Sequence, residues 1–157
     1  MIVKSIQITD NDINIAYQKP SATGLTDVFT IKSKDDPRPE LMQAFSRLQA
    51  IMKKNFEFLE EFNIPFVVRS FKFKYGVIED VVEKVSVEGI IQDANSTDEL
   101  KFKTDWLSVE YADRTFAISV QDLIDECVRF IAGKRAQGGF VCRRGMMIYG
   151  KRPILLF

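Results

Sequence analysis

Arg129, Lys134, Arg135, Arg143, Arg144, Lys151 and Arg152 are the charged side chains between Val128 and Phe157, with no Asp or Glu among them. Cations grouped without intervening acids suit the holding of phosphates, because each contact releases counterions condensed on a polyanion. Over the whole chain 22 Lys and Arg balance 22 Asp and Glu, so the +7 of this segment leaves −7 on residues 1–127. That asymmetry points to a polyanion partner. It nominates Lys134, Arg135, Arg143, Arg144, Lys151 and Arg152 as nucleic-acid-binding residues. The competing reading, and the favoured one, docks the basic end on the acidic body of its own chain or of a second subunit.

A second candidate lies in Pro153-Ile154-Leu155-Leu156-Phe157. It is similar to the Gln-Leu-x-Leu-Phe peptides that dock in apolar pockets of bacterial sliding clamps, with proline where those carry glutamine. The resemblance implies a protein-binding role for Ile154, Leu155, Leu156 and Phe157, in an adaptor or inhibitor of a host or viral protein. A C-terminal edge strand covering the core is the alternative.

Catalytic chemistry is poorly supplied. With no histidine in the chain, histidine-based triads, histidine metal sites and histidine pH switches are excluded. There is no Gly-Lys-Ser/Thr phosphate loop and no dinucleotide-binding glycine fingerprint. Cys127 and Cys142 are too few for a disulfide framework or a structural zinc site, and are expected as buried or reduced thiols. Asp122, Asp125 and Glu126 crowd one helical turn, but a solvated helix face explains them better than a metal site, since hard cations need more converging oxygens. No metal and no cofactor is expected. A carboxylate nuclease assembled from distant positions is the one enzyme class left open, and the expectation is a non-enzymatic protein.

The elements that must position these residues follow from hydropathy period. Ile2 to Asp10 and Asp12 to Tyr17 alternate around a polar turn and read as a hairpin, with Thr26 to Ser33 as a third strand. Asp35-Asp36-Pro37-Arg38-Pro39-Glu40 marks a helix start, an acid ahead of proline. Leu41, Phe45, Leu48, Met52, Phe56 and Leu59 then share one helical face. The expected helix is about 15 to 25 residues long, broken near Asn55. A second apolar line, Ala44, Ile51, Phe58 and Phe62, suggests either a subunit contact, hence a homo-oligomer, or ordinary core burial, the favoured alternative.

Ile64 to Tyr75 resumes the strand period, with Phe71, Phe73 and Tyr75 on one side and Lys72 and Lys74 on the other, and ends at Gly76; further strands are expected over Asp80 to Gln92 and Leu100 to Tyr111. Interleaved aromatics and lysines, here and in Lys101-Phe102-Lys103, suit base stacking with phosphate tracking. An aromatic core face backed by solvated lysines is the favoured alternative. Ser119-Val120-Gln121-Asp122 predicts a second helix with a side-chain cap, ended by Gly133 and buried through Val120, Leu123, Ile124, Cys127, Phe130 and Ile131. Asp125 and Arg129 are spaced for a surface ion pair.

The result is an α+β chain in the order βββαβββα: an antiparallel sheet of about six strands with two helices on one face. Residues 1–137 form one domain and 138–157 a basic, glycine-containing extension. The order invites reading as a duplicated βββα unit, though no residue-level repeat stands out. No apolar run approaches the ~18 to 20 residues of a membrane span, and no basic, apolar signal segment opens the chain, so a cytoplasmic protein without membrane partners is expected.

Asp35-Asp36-Pro37-Arg38-Pro39-Glu40-Leu41 and Glu126-Cys127-Val128-Arg129-Phe130-Ile131-Ala132-Gly133-Lys134-Arg135-Ala136-Gln137 carry one further likeness. In layout the chain resembles a family of small uncharacterised bacteriophage and prophage proteins, with a strand meander, an Asp-x-Pro-Arg-Pro-Glu helix start and a late helix running into Gly-Lys-Arg-Ala-Gln. The segment after Gln137 departs from that pattern. The resemblance implies a viral origin, a bacterial host cytoplasm and the fold, but no activity.

Overall fold

The computed structural model describes residues 1–20, 22–55, 66–76, 81–92, 98–110 and 114–136. The elements are β1 (Ile2–Ile8), β2 (Ile13–Pro20), β3 (Thr26–Ser33), α1 (Pro39–Asn55), β4 (Phe66–Tyr75), β5 (Val82–Gln92), β6 (Glu99–Lys103), β7 (Leu107–Ser108) and α2 (Arg114–Ile131). The strands form one seven-stranded sheet in the order β3-β2-β1-β4-β5-β6, with β7 also pairing β5. Every pairing is antiparallel. The fold is α+β in the order expected from the sequence.

Alternation decides what each face of the sheet carries. Val3, Ile6, Ile13, Ile15, Val68, Phe71, Phe73, Val85 and Val87 point toward the helices and are buried with Leu41, Phe45, Leu48, Met52, Phe116, Val120, Leu123, Cys127 and Phe130. Phe45 and Phe71 meet edge to face at 4.9 Å between centroids, the arrangement preferred by ring quadrupoles. Ala44 is buried and Ile51 packs against the same core, so at these two positions the second apolar line of α1 serves the core. Phe58 and Phe62, like Cys142 and the extension 138–157, lie outside the described residues.

The register uncovers a repeat that hydropathy does not. β1 meets β4 with Ile6 opposite Phe71, Ser5 opposite Lys72 and Gln7 opposite Ser70. Pairing shifts between Val3 and Ser5 in β1, and between Val68 and Ser70 in β4. Ile2-Val3-Lys4-Ser5-Ile6-Gln7-Ile8 thus matches Val67-Val68-Arg69-Ser70-Phe71-Lys72-Phe73 residue for residue, bulge included. A pseudo-two-fold axis passes between Ile6 and Phe71 and relates the unit β1β2β3α1 to β4β5β6α2. It continues between the helices, where buried Leu41, Ala44, Phe45, Leu48 and Met52 correspond to Phe116, Ser119, Val120, Leu123 and Cys127. There Arg47 meets its own counterpart Asp122 at 3.3 Å.

Local chemistry moves three boundaries from their expected places. The first helix begins at Pro39, the second of the two prolines, where a missing N–H costs nothing. Helix α2 begins at Arg114, ahead of Ser119, because Phe116 extends the buried stripe one turn; Ser119 is itself buried and is no cap. The strand expected over Leu100 to Tyr111 is interrupted at residues 104–106. Thr104 donates its N–H to the Val87 carbonyl at 2.9 Å, while its hydroxyl oxygen accepts the Val87 N–H at 2.9 Å. Gly133 ends α2 as expected, at φ +100°, the left-handed conformation that glycine adopts without a Cβ penalty.

Candidate nucleic-acid interface

Both helices cover one face of the sheet, and the opposite face is open. On it lies a trough of about 790 Å³ whose walls include Ser5, Gln7, Asn14, Ala16, Thr30, Ser70, Lys72, Glu88 and Lys101. Serine, alanine and threonine among its walls are small side chains, and the serines and threonine supply hydroxyls.

Strand period places Lys72 and Lys74 of β4, Lys84 of β5, and Lys101 and Lys103 of β6 on this open face, opposite in phase to buried Phe71, Phe73, Val85 and Val87. Lys72 is bonded to Glu88 at 2.8 Å. Lys74, Lys84, Lys101 and Lys103 form no ion pair among the described residues. Lys74 stands directly opposite Lys84, and like charges paired across strands destabilise a sheet. The first unit carries no such field. The counterparts of Lys72, Lys74, Lys84, Lys101 and Lys103 are Gln7, Thr9, Asp12, Val28 and Thr30, so the symmetry of the backbone is broken by charge.

Of the interleaved aromatics, Phe102 alone borders the trough, and it too is anchored in the core. Phe71 and Phe73 are core residues. Tyr75 donates its hydroxyl to the Val3 carbonyl at 2.8 Å, and Phe102 packs against the core. Gly89 faces Phe102 across the β5–β6 pairing. A Cβ there would collide with the Val67 carbonyl and lie 2.8 Å from the Phe102 ring, so this close approach requires glycine.

A second cluster of cations lies on the helical layer, in a cleft of about 870 Å³ lined by Arg38, Pro39, Glu40, Arg129, Gly133, Lys134, Arg135 and Ala136. Of the basic residues nominated from the sequence, Lys134 and Arg135 fall here. Lys134 is exposed. Arg135 is engaged within the chain: it bonds Asp35 at 3.1 Å, donates to the Phe130 carbonyl, and lays its guanidinium over the Phe130 ring at 3.6 Å. At this residue the reading that docks the basic end on the chain's own acids prevails. Arg143, Arg144, Lys151 and Arg152, and the peptide Ile154, Leu155, Leu156 and Phe157, lie outside the described residues.

Glu126 corrects the expected solvated face. It is 8% exposed, with Arg129 at 2.6 Å and Arg38 at 3.5 Å. Arg129 therefore pairs with Glu126 one turn back, not with Asp125, whose carboxylate accepts from Gln121 at 2.9 Å. The Arg38 contact is an ion pair without hydrogen-bond geometry, leaving Glu126 Oε1 without a hydrogen bond. At the start of α1, a backbone N–H and then Arg38 hold the Glu40 carboxyl below the ordinary carboxylate range. Burial pushes the Cys127 thiol well above the usual range, which leaves it protonated and inert. Among the described residues no group of three or more His, Cys, Asp or Glu is placed to hold a metal ion, and no helix is long and apolar enough to cross a membrane.

Sequence reasoning singled out Lys72, Lys74, Lys101 and Lys103 but not Lys84 or Trp106. Lys84 is flagged only by its partner across the sheet. Trp106 sits in the interruption between β6 and β7, where no period applies. Compared with protein-family models, curated proteins and solved structures, the chain matches none.

Proposed function

We propose that the protein is a non-enzymatic nucleic-acid-binding module, of phage or prophage origin on the resemblance of its helix-start and C-terminal motifs, acting in the host cytoplasm. The observation that carries the reading is the open sheet face of the second unit. Lys74, Lys84, Lys101 and Lys103 stand there without an ion pair among the described residues, Glu88 opposite Lys103 being bonded to Lys72, and Lys74 faces Lys84. A surface that keeps unneutralised cations in register is suited to phosphates. Salt-dependent attraction to phosphates is the sequence-independent part of nucleic-acid binding. Lys134, exposed on the helical layer, does not belong to that face and would meet phosphates separately.

The test is binding of the full chain to labelled oligonucleotides at about 50 mM salt, where phosphate contacts are strongest, alongside recovery of partners from host lysate with and without nuclease. Oligonucleotide binding together with nuclease-sensitive recovery is the expected result. Absence of oligonucleotide binding, with partners that survive nuclease, would overturn the reading in favour of a protein adaptor docking through residues such as Ile154 to Phe157.

A further inference from the structure

Trp106 is the one tryptophan of the chain, and it is 38% exposed. The ammonium of Lys74 lies 5.7 Å from its ring centroid, within cation–π range. Because Lys74 belongs to the open face, the indole stands on the same side as Lys84, Lys101 and Lys103. Phe71 and Phe73 are no more than 2% exposed, and Phe102, which also borders the trough, packs against the core, so the indole is the exposed large aromatic that the described residues of the second unit offer to a ligand on this face.

Hydrogen bonds fix the backbone that carries the indole. Thr104 is clamped to Val87 through both its N–H and its hydroxyl, each at 2.9 Å, and its carbonyl accepts from Ser86 at 3.0 Å. Asp105 accepts the Trp106 N–H at 2.8 Å. A backbone held in place before the ligand arrives has less freedom left to lose on binding. The first unit lacks the arrangement: the counterpart of Trp106 is Ser33 and that of Lys74 is Thr9. Ring and cations therefore occur together in one half of the molecule, although the backbone offers two.

Resting on the reading of this face as a nucleic-acid interface, we infer that Trp106 is a base-stacking platform and that the ligand is single-stranded nucleic acid. A duplex keeps its bases stacked on one another and presents only phosphates to a sheet. A single strand offers free base faces, and stacking on an aromatic residue tolerates any base. Alternate residues along a strand stand about 6.6 Å apart, comparable to the step between successive phosphates in an extended single strand. Lys101 and Lys103 can thus follow consecutive phosphates while Trp106 receives a base.

Trp106 reports on its own occupancy, since all tryptophan emission comes from it. The wild-type chain is titrated with a thymidine oligonucleotide of about 12 residues and with a duplex of equal length, following tryptophan emission and, separately, anisotropy of labelled strands. The single strand is expected to quench emission and to bind more tightly than the duplex. Trp106→Ala should weaken single-strand binding about tenfold with duplex affinity unchanged, and Trp106→Phe should keep most of it. Single-strand binding without quenching, or with Trp106→Ala at wild-type affinity, overturns the stacking role and leaves the lysine interface standing. Failure of the wild type to bind either ligand at low salt overturns both.

Discussion

The lysines of β6 give the sharpest test of the interface. Lys101→Thr together with Lys103→Thr removes two exposed cations and substitutes a β-branched residue that suits a strand. At Lys103 it installs the residue of the counterpart, Thr30. Each phosphate neutralised on a single strand contributes about 0.7 to the slope of log affinity against log salt. Counting Lys74, Lys84, Lys101 and Lys103, and leaving out Lys72 because Glu88 already holds it, the wild-type slope should be about −2.8. Raising salt from about 50 to 200 mM would then weaken binding about fifty-fold. For the double variant the slope falls to about −1.4 and the loss over the same range to about sevenfold. Anisotropy titrations of a labelled single strand across that range measure both. Lys54→Gln, on an exposed residue of α1, should leave the slope unchanged. A double variant that keeps the wild-type slope would refute the assignment of this face, whatever its affinity at one salt concentration.

The scaffold makes predictions of its own. Gly89→Ala forces a Cβ against the Val67 carbonyl and the Phe102 ring and should cost about 1 to 3 kcal/mol, read as a lower denaturation midpoint. Glu126→Ala breaks the bond to Arg129 and the contact with Arg38; with both arginines partly exposed, the loss should be about 1 to 2 kcal/mol. Its oligonucleotide affinity should be unchanged, because Glu126 lies on the helical layer. In a Cys142→Ser background, Cys127 should resist an aromatic disulfide reagent in the folded protein and react once denaturant is added, since its thiol is buried and its thiolate suppressed. Rapid reaction of the folded chain would contradict the packing of α2.

Much of this fold is legible in local chemistry. Alternation in β1, β2 and β4 assigns Ile6, Ile15 and Phe71 to one face, and the stripe from Leu41 through Leu48 to Met52 marks α1. Cys127 belongs to the buried side of α2, and Gly133 stops it. These features depend on residues a few positions apart, whose periods of 2 and 3.6 are set by the backbone alone. The element order already invited a duplicated unit, but its residue correspondence escaped that reading because the halves share pairing positions more than residue identities. Ile6 and Phe71 become equivalent only when they face each other across the β1–β4 pairing.

The interface shows the same division. That Lys72 and Lys74 share a face, as do Lys101 and Lys103, follows from the sequence by itself. That all of these and Lys84 lie on a single uncovered face beside Trp106 was decided by tertiary structure. Period reports which side chains point together but not which side the helices will cover. Strands distant in sequence become neighbours only through long-range hydrogen bonds that no local pattern encodes. For the same reason a surface carboxylate by spacing, Glu126, is buried: Arg38, from the start of the other helix, arrives beside it only when α1 and α2 pack together.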